Sequence, residues 1–171
     1  MNKYNTFWQR LAAGLIDDFV LYPIIFLSGY VIDTESNLLY TIGLLLSTIL
    51  YSGYFVWCHG RYGQTIGKKS MGIRVLDINE SQIIGIKRAL IRESPLVLIS
   101  VIAILFFSFK ITTGTNDEVS LEARNNLENL VSIFSFLWVA IELITMLTNS
   151  KRRALHDFLA NSVVVKESAP L

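Results

Sequence analysis

The sequence predicts an all-α membrane protein: a four-helix transmembrane bundle with a small cytoplasmic element of short strands and an interfacial amphipathic helix. Three observations point there. Of the 171 residues 52% are hydrophobic, and mean hydropathy is +0.47, above that of an ordinary soluble domain. Single apolar runs approach the roughly 20 residues a helix needs to cross a hydrocarbon core about 30 Å thick. Lysine and arginine fall overwhelmingly on alternate connecting segments, the bias that orients membrane proteins.

The first span covers about residues 11–32. With Lys3 and Arg10 before it, the stretch looks superficially like a secretory signal. It contains Asp17 and Asp18, exceeds signal-peptide length and ends without a small-x-small cleavage site, so it is read as retained. The second span, 38–58, carries no charge. The third, 95–109, is shorter and can extend back into the amphipathic stretch 86–93. The fourth, 130–148, is interrupted only by Glu142. All four must be helical, because isolated segments in hydrocarbon can satisfy their backbone only internally and cannot close a barrel.

Orientation follows from the bases. The amino tail, the segment 59–94 and the tail 149–171 together hold thirteen lysines and arginines, against two in the alternate loops. Both termini and the long central segment are therefore expected in the cytoplasm. Within 59–94, Gly-Gln-Thr-Ile-Gly (63–67) is turn-rich, 72–77 reads as a short strand, 79–81 as a turn and 82–84 as a second extended piece. Ile86, Ala89 and Leu90 recur at helical spacing with Lys87, Arg88 and Arg92 to the other side. That pattern suits a helix lying in the membrane interface with its bases toward anionic headgroups or a protein partner. Lys68 and Lys69 join this basic set. The run 162–166 is again β-prone, and 163–166 is expected to pair with 73–76. No internal repeat is present.

Three ionisable residues fall within the spans: Asp17, Asp18 and Glu142. An aspartate at a helix centre costs roughly 2.5–3.5 kcal/mol, and such residues are functional candidates by default. Arg10 lies seven residues before Asp17 on the same helix face and is their candidate countercharge. Counting from the cytoplasmic ends puts all three carboxylates at similar depth. An oxygen-rich cluster there suits a sodium ion or a proton; the alternative is a polar knot that fixes helix register.

Other chemistries are weaker. Gly67-Lys68-Lys69 resembles the end of a phosphate-binding loop, but Tyr62 and Lys69 stand where that motif needs Gly and Ser or Thr. Neighbouring aspartates on one helix point about 100° apart and do not form a protease dyad. His59 and His156-Asp157 lack a spaced ligand set, so no metal is expected. The lone Cys58 cannot form an internal disulfide. Gly43 and Ser47 form a small-residue ridge for close helix packing. No cofactor, nucleic acid or enzymatic activity is indicated.

Three blocks in order resemble the RDD family of membrane proteins. They are Arg10 with Asp17-Asp18, Gly63-Gln-Thr-Ile-Gly-Lys68 running on to Gly72-Ile-Arg-Val75, and Arg153-Ala-Leu-His-Asp157 through Ala160 and Val163–Val165. The resemblance covers about residues 4–166. It implies one membrane domain over 1–171, in a bacterial cytoplasmic membrane. Some members of the family are described as sodium/proton antiporters and others as modulators of membrane machinery. Two functions are therefore carried forward. One is cation or proton transport through Asp17, Asp18 and Glu142, which would call for a homo-oligomer. The other is a non-catalytic adaptor docking a partner or anionic lipid through its basic element.

Overall fold

Uninterrupted apolar sequence folds as helix, and the computed structural model, which describes residues 3–32, 37–113 and 117–167, is built on four long ones. In chain order the elements are α1 (Phe7–Ile32), α2 (Asn37–Tyr62), α3 (Ile66–Ser70), β1 (Ile73–Asp77), α4 (Gly85–Thr113), α5 (Asp117–Thr148), α6 (Leu155–Leu159) and β2 (Ser162–Lys166). Among the described residues six helices therefore stand where a four-helix bundle was expected, the two additions having five residues each. The expected loop 33–36 lies outside the described residues.

Three of the described helices are long and apolar enough to cross a membrane: Leu38–Tyr62, Gly85–Phe106 and Glu128–Thr148. Helix α1 also has 26 residues, but it carries Arg10, Asp17 and Asp18 along its length. The four pack in a row, α1 on α2, α2 on α4 and α4 on α5. Their outer faces stay apolar: Phe19 is 81% exposed and Phe136 72%. Such faces are costly in water and natural in lipid.

Among the described residues the amphipathic stretch does not form a separate interfacial helix. The amphipathic stretch 86–93 is the first part of α4, which runs on through Pro95. Proline cannot donate to the carbonyl four residues back. Here that carbonyl, of Ile91, accepts instead from the Ser94 hydroxyl at 2.8 Å, so the helix continues.

The start of α1, the end of α2, the start of α4 and the end of α5 meet in one cap. Its centre is an antiparallel pair, β1 with β2, in the register Ile73↔Lys166 to Asp77↔Ser162. The expected pairing of 73–76 with 163–166 is met, and the structure adds its direction and register. The expected extended piece 82–84 contributes a single bridge, Leu76↔Ile83, across a turn held by Asp77 accepting from Ser81 and Gln82. The cap closes over a core of Ala13, Ile73, Val75, Ile84, Ala89 and Val164. Both described ends belong to it, since Lys166 N donates to Lys3 O at 2.9 Å.

Candidate functional site: a charged seam between cap and helices

Where apolar helices meet a polar cap, every ionisable group must find a partner or stay in water. Asp17 shows the rule. Its carboxylate is 1% exposed and accepts three neutral donors: Tyr54 Oη at 2.8 Å, the Gly67 amide at 2.8 Å and Thr65 Oγ1 at 2.6 Å. Thr65 also caps α3 by accepting from Lys68 N at 3.1 Å. Glycine is required at 67 because a Cβ there would stand 2.0 Å from the Ala13 carbonyl oxygen. The turn-rich block 63–67 is thus folded around one aspartate of α1.

A second centre gathers on Asp157, which is fully buried on α6. Arg10 Nη1 donates to Oδ2 at 2.6 Å and Arg92 Nη2 approaches Oδ1 at 3.1 Å. Ala154 N and the Ser162 hydroxyl donate to the same carboxylate. Burial alone would raise its pKa, but the two guanidinium groups outweigh burial and hold it well below the usual carboxylate range. One carboxylate does not exhaust two arginines. Among the described residues, Arg10 Nη2 and Arg92 Nε and Nη1 are buried without an acceptor.

Two histidines extend the seam in the same pattern. Lys68 Nζ lies 2.9 Å from His59 Nε2, and His59 Nδ1 lies 3.2 Å from Glu93 Oε1. Arg92 Nη2 lies 2.7 Å from His156 Nε2, and His156 Nδ1 is bonded to Glu142 Oε1. A charged Lys68 ammonium only donates, so in that state His59 Nε2 accepts and Nδ1 gives its proton to Glu93. Lys68 is pushed down to about 8, first by burial and then by the positive charge of Arg92.

These contacts redistribute the residues singled out in the sequence. Asp17, Asp18 and Glu142 do not bond to one another. Asp18 is exposed and accepts from Tyr51 at 3.3 Å, while Glu142 is bonded to His156. The reason is the order of packing: α1 lies on α2 and α3, whereas α5 lies on α4 and α6. Arg10 turns to Asp157 rather than to the aspartates two turns along its own helix, and meets α5 at Met146 Sδ, 3.5 Å away. Arg92 is not presented to lipid: its side chain is 3% exposed and faces Asp157. Lys68 likewise points to His59. Lys69 and Lys87 are exposed as expected, and Arg88 is half-buried.

Sequence reasoning missed His59, Glu93 and Asp157 as partners in this network. The signal was present in the His156-Asp157 pair and in a histidine closing an otherwise uncharged span. Among the described residues no group of three or more His, Cys, Asp or Glu side chains is placed to hold a metal. A sequence model described as the RDD family matches residues 4–161. Comparisons with curated proteins and with solved structures give no match.

Proposed function

The chain belongs to the RDD family, and from that premise we propose a four-crossing protein of a bacterial cytoplasmic membrane that couples proton movement to transport. One observation carries the transport reading: Lys68, His59 and Glu93 form a hydrogen-bonded chain from the cap to an open groove. Glu93 lines that groove, an otherwise apolar space of about 530 Å³ between α2 and α4 bounded by Leu45, Ile49, Val56 and Val97.

The fourth crossing follows from connection. If α2 crosses from the cap to the far face, α1 must also reach that face, because only residues 33–36 join them. Helix α1 is 26 residues long, about 39 Å at 1.5 Å per residue, which is sufficient. Asp17, Tyr54, Glu93 and Glu142 lie six to ten residues in from the cap-side helix ends. From Glu93 to the far end of α4 is roughly 30 Å, about one hydrocarbon thickness. The carboxylates then belong to the inner boundary rather than the bilayer centre, which removes most of their insertion cost. The excess of bases puts the cap in the cytoplasm. A reporter active only outside the cytoplasm is expected to work after Ser36 or Asn116 and to stay dark after Asn79 or Lys166.

The relay balances as two proton hops. A protonated Glu93 gives its proton to His59 Nδ1 when that nitrogen is bare, and Nε2–H gives its proton to a neutral Lys68 amine. The end state has Glu93 ionised, the ring with its proton on Nδ1 and Lys68 charged. Since Lys68 titrates near 8, it alternates between the two forms close to physiological pH. In this reading Glu142 carries protons through His156, and Asp17 fixes α3 so that Lys68 reaches His59. Asp18 is left as a separate candidate ligand.

Purified protein in liposomes, with a pH-sensitive dye inside, is the test. Imposed sodium or potassium gradients are expected to move protons, and Lys68→Met, His59→Gln and Glu93→Gln to stop that movement while the protein still inserts. Wild-type protein moving no protons under any cation gradient would leave the adaptor reading. That second reading is favoured by Lys69 and Lys87, which remain exposed at the cap for a protein partner or anionic lipid.

A further inference from the structure

The half of the molecule away from the cap holds a second cavity, of about 350 Å³, where α2, α4 and α5 meet. Its volume falls in the range of small-molecule sites, roughly 300–1,000 Å³. Leu44, Ala103, Ile104 and Val131 supply apolar walls, while Tyr40, Thr48, Ser100, Ser132 and the exposed Glu128 supply oxygen. The orientation of the hydroxyls decides what such a space can take. Thr48 Oγ1 donates to Leu44 O at 2.8 Å and Ser100 Oγ to Leu96 O at 3.0 Å, so their protons are committed to their own helices. The buried Tyr40 hydroxyl donates to Glu128 Oε1 at 3.3 Å. Thr48, Ser100 and Glu128 thus offer the cavity lone pairs and a carboxylate charge.

We propose that this cavity binds a small organic ammonium ion, held by the Glu128 carboxylate and the hydroxyl oxygens of Thr48 and Ser100. A cationic nitrogen satisfies the carboxylate and the acceptor hydroxyls. Its alkyl groups fit the apolar walls. A bare metal ion fits less well, because one carboxylate among apolar walls cannot fill its coordination sphere and the space far exceeds an ion's volume. The site is separate from the Lys68–His59–Glu93 chain, and binding is measurable without any flux.

Full-length protein in lipid nanodiscs, titrated calorimetrically with propylammonium and tetramethylammonium chloride, tests this, with sodium chloride at equal ionic strength as the reference. Saturable binding of at least one ammonium ion is expected. Glu128→Gln should weaken it roughly tenfold or more, the scale of losing a charged partner. Ser132→Leu, which intrudes on the cavity while leaving the carboxylate, should also weaken it. Glu93→Gln should leave it unchanged even where it stops proton movement, so the two readings fail separately. Thermal melts of each variant establish that it is folded. No saturable binding, equal binding by folded Glu128→Gln, or sodium binding as tightly as either ammonium ion would overturn the assignment.

Discussion

The cap and the helical row solve the same polar problem in opposite ways. In the cap, polar groups reach partners far away in sequence: Arg10 pairs with Asp157, and Gln64 Nε2 donates to Glu167 Oε2 at 3.0 Å. In the row, serine and threonine hydroxyls turn back on their own helix, as Ser47 does to Gly43 O, Thr48 to Leu44 O and Ser108 to Ile104 O. A hydroxyl bonded to its own helix says little about its neighbour, and apolar contacts between helices in lipid lack the hydrophobic driving force they have in water. The cap therefore fixes the relative places of the four helices at one end, and the seam is where that instruction is delivered.

If that is right, the deepest cap contact must be the most expensive to break. Asp157→Ala leaves Arg10 and Arg92 buried without their carboxylate, at a cost of about 3–5 kcal/mol. Loss of the folded protein from detergent extracts, or a large fall in melting temperature, is expected. Acid should mimic the change. A depressed pKa in the folded state means this stabilisation is present above the ordinary value of 3.8 and is lost as pH falls below it. A variant that melts like wild type would show that the helical row holds itself together.

Gly67→Ala comes next. Its new methyl meets the Ala13 carbonyl at 2.0 Å, in backbone that cannot swing aside, and overpacking of this kind costs about 1–3 kcal/mol. The specific signature is loss of Asp17's contact with α3, read as faster hydrogen exchange over residues 65–70 with the sheet unchanged. Slow exchange there would mean that α3 is held by something other than Asp17.

The same contrast explains what could be read from the chain. The long helices were legible because apolar runs declare themselves, and the strand pair because two β-prone runs were left without other backbone partners. The proposed crossing of α1 rests on connection rather than composition, since Arg10, Asp17 and Asp18 dilute that helix. Helices α3 and α6 were not legible: five residues are too few for a periodic pattern, and both take their shape from a buried aspartate, one of them on another helix. Spacing pairs Arg10 with the aspartates of its own helix, because spacing reveals only near neighbours. Its true partner is 147 residues away.

A smaller effect follows from Lys68. Its pKa is depressed in the folded protein, so the unfolded cap binds the extra proton between about 8 and 10.5. Stability of the cap should therefore rise as pH increases across that window and be level below it, as far as this group is concerned. Hydrogen exchange of the 65–70 amides, corrected for intrinsic rates and compared with Lys68→Met, would show the slope. A slope unchanged in the variant would assign it to another group.

The smallest effect separates two adjacent aspartates. Asp17→Asn keeps an oxygen for Tyr54 and Gly67, but its amide cannot accept from Thr65, so one short bond is lost at about 1–2 kcal/mol. Asp18→Asn changes an exposed group whose contact is a long one, to Tyr51 at 3.3 Å, and should shift stability by less than about 0.5 kcal/mol. Sequence alone treats the pair as equals. One helix step of about 100° turns Asp17 into the cap and leaves Asp18 outside it. Melts of the two variants side by side measure that difference. Equal losses would mean that Asp18 too is held by the fold, and that the boundary between cap and row lies deeper than the bonds to Thr65 and Gly67 place it.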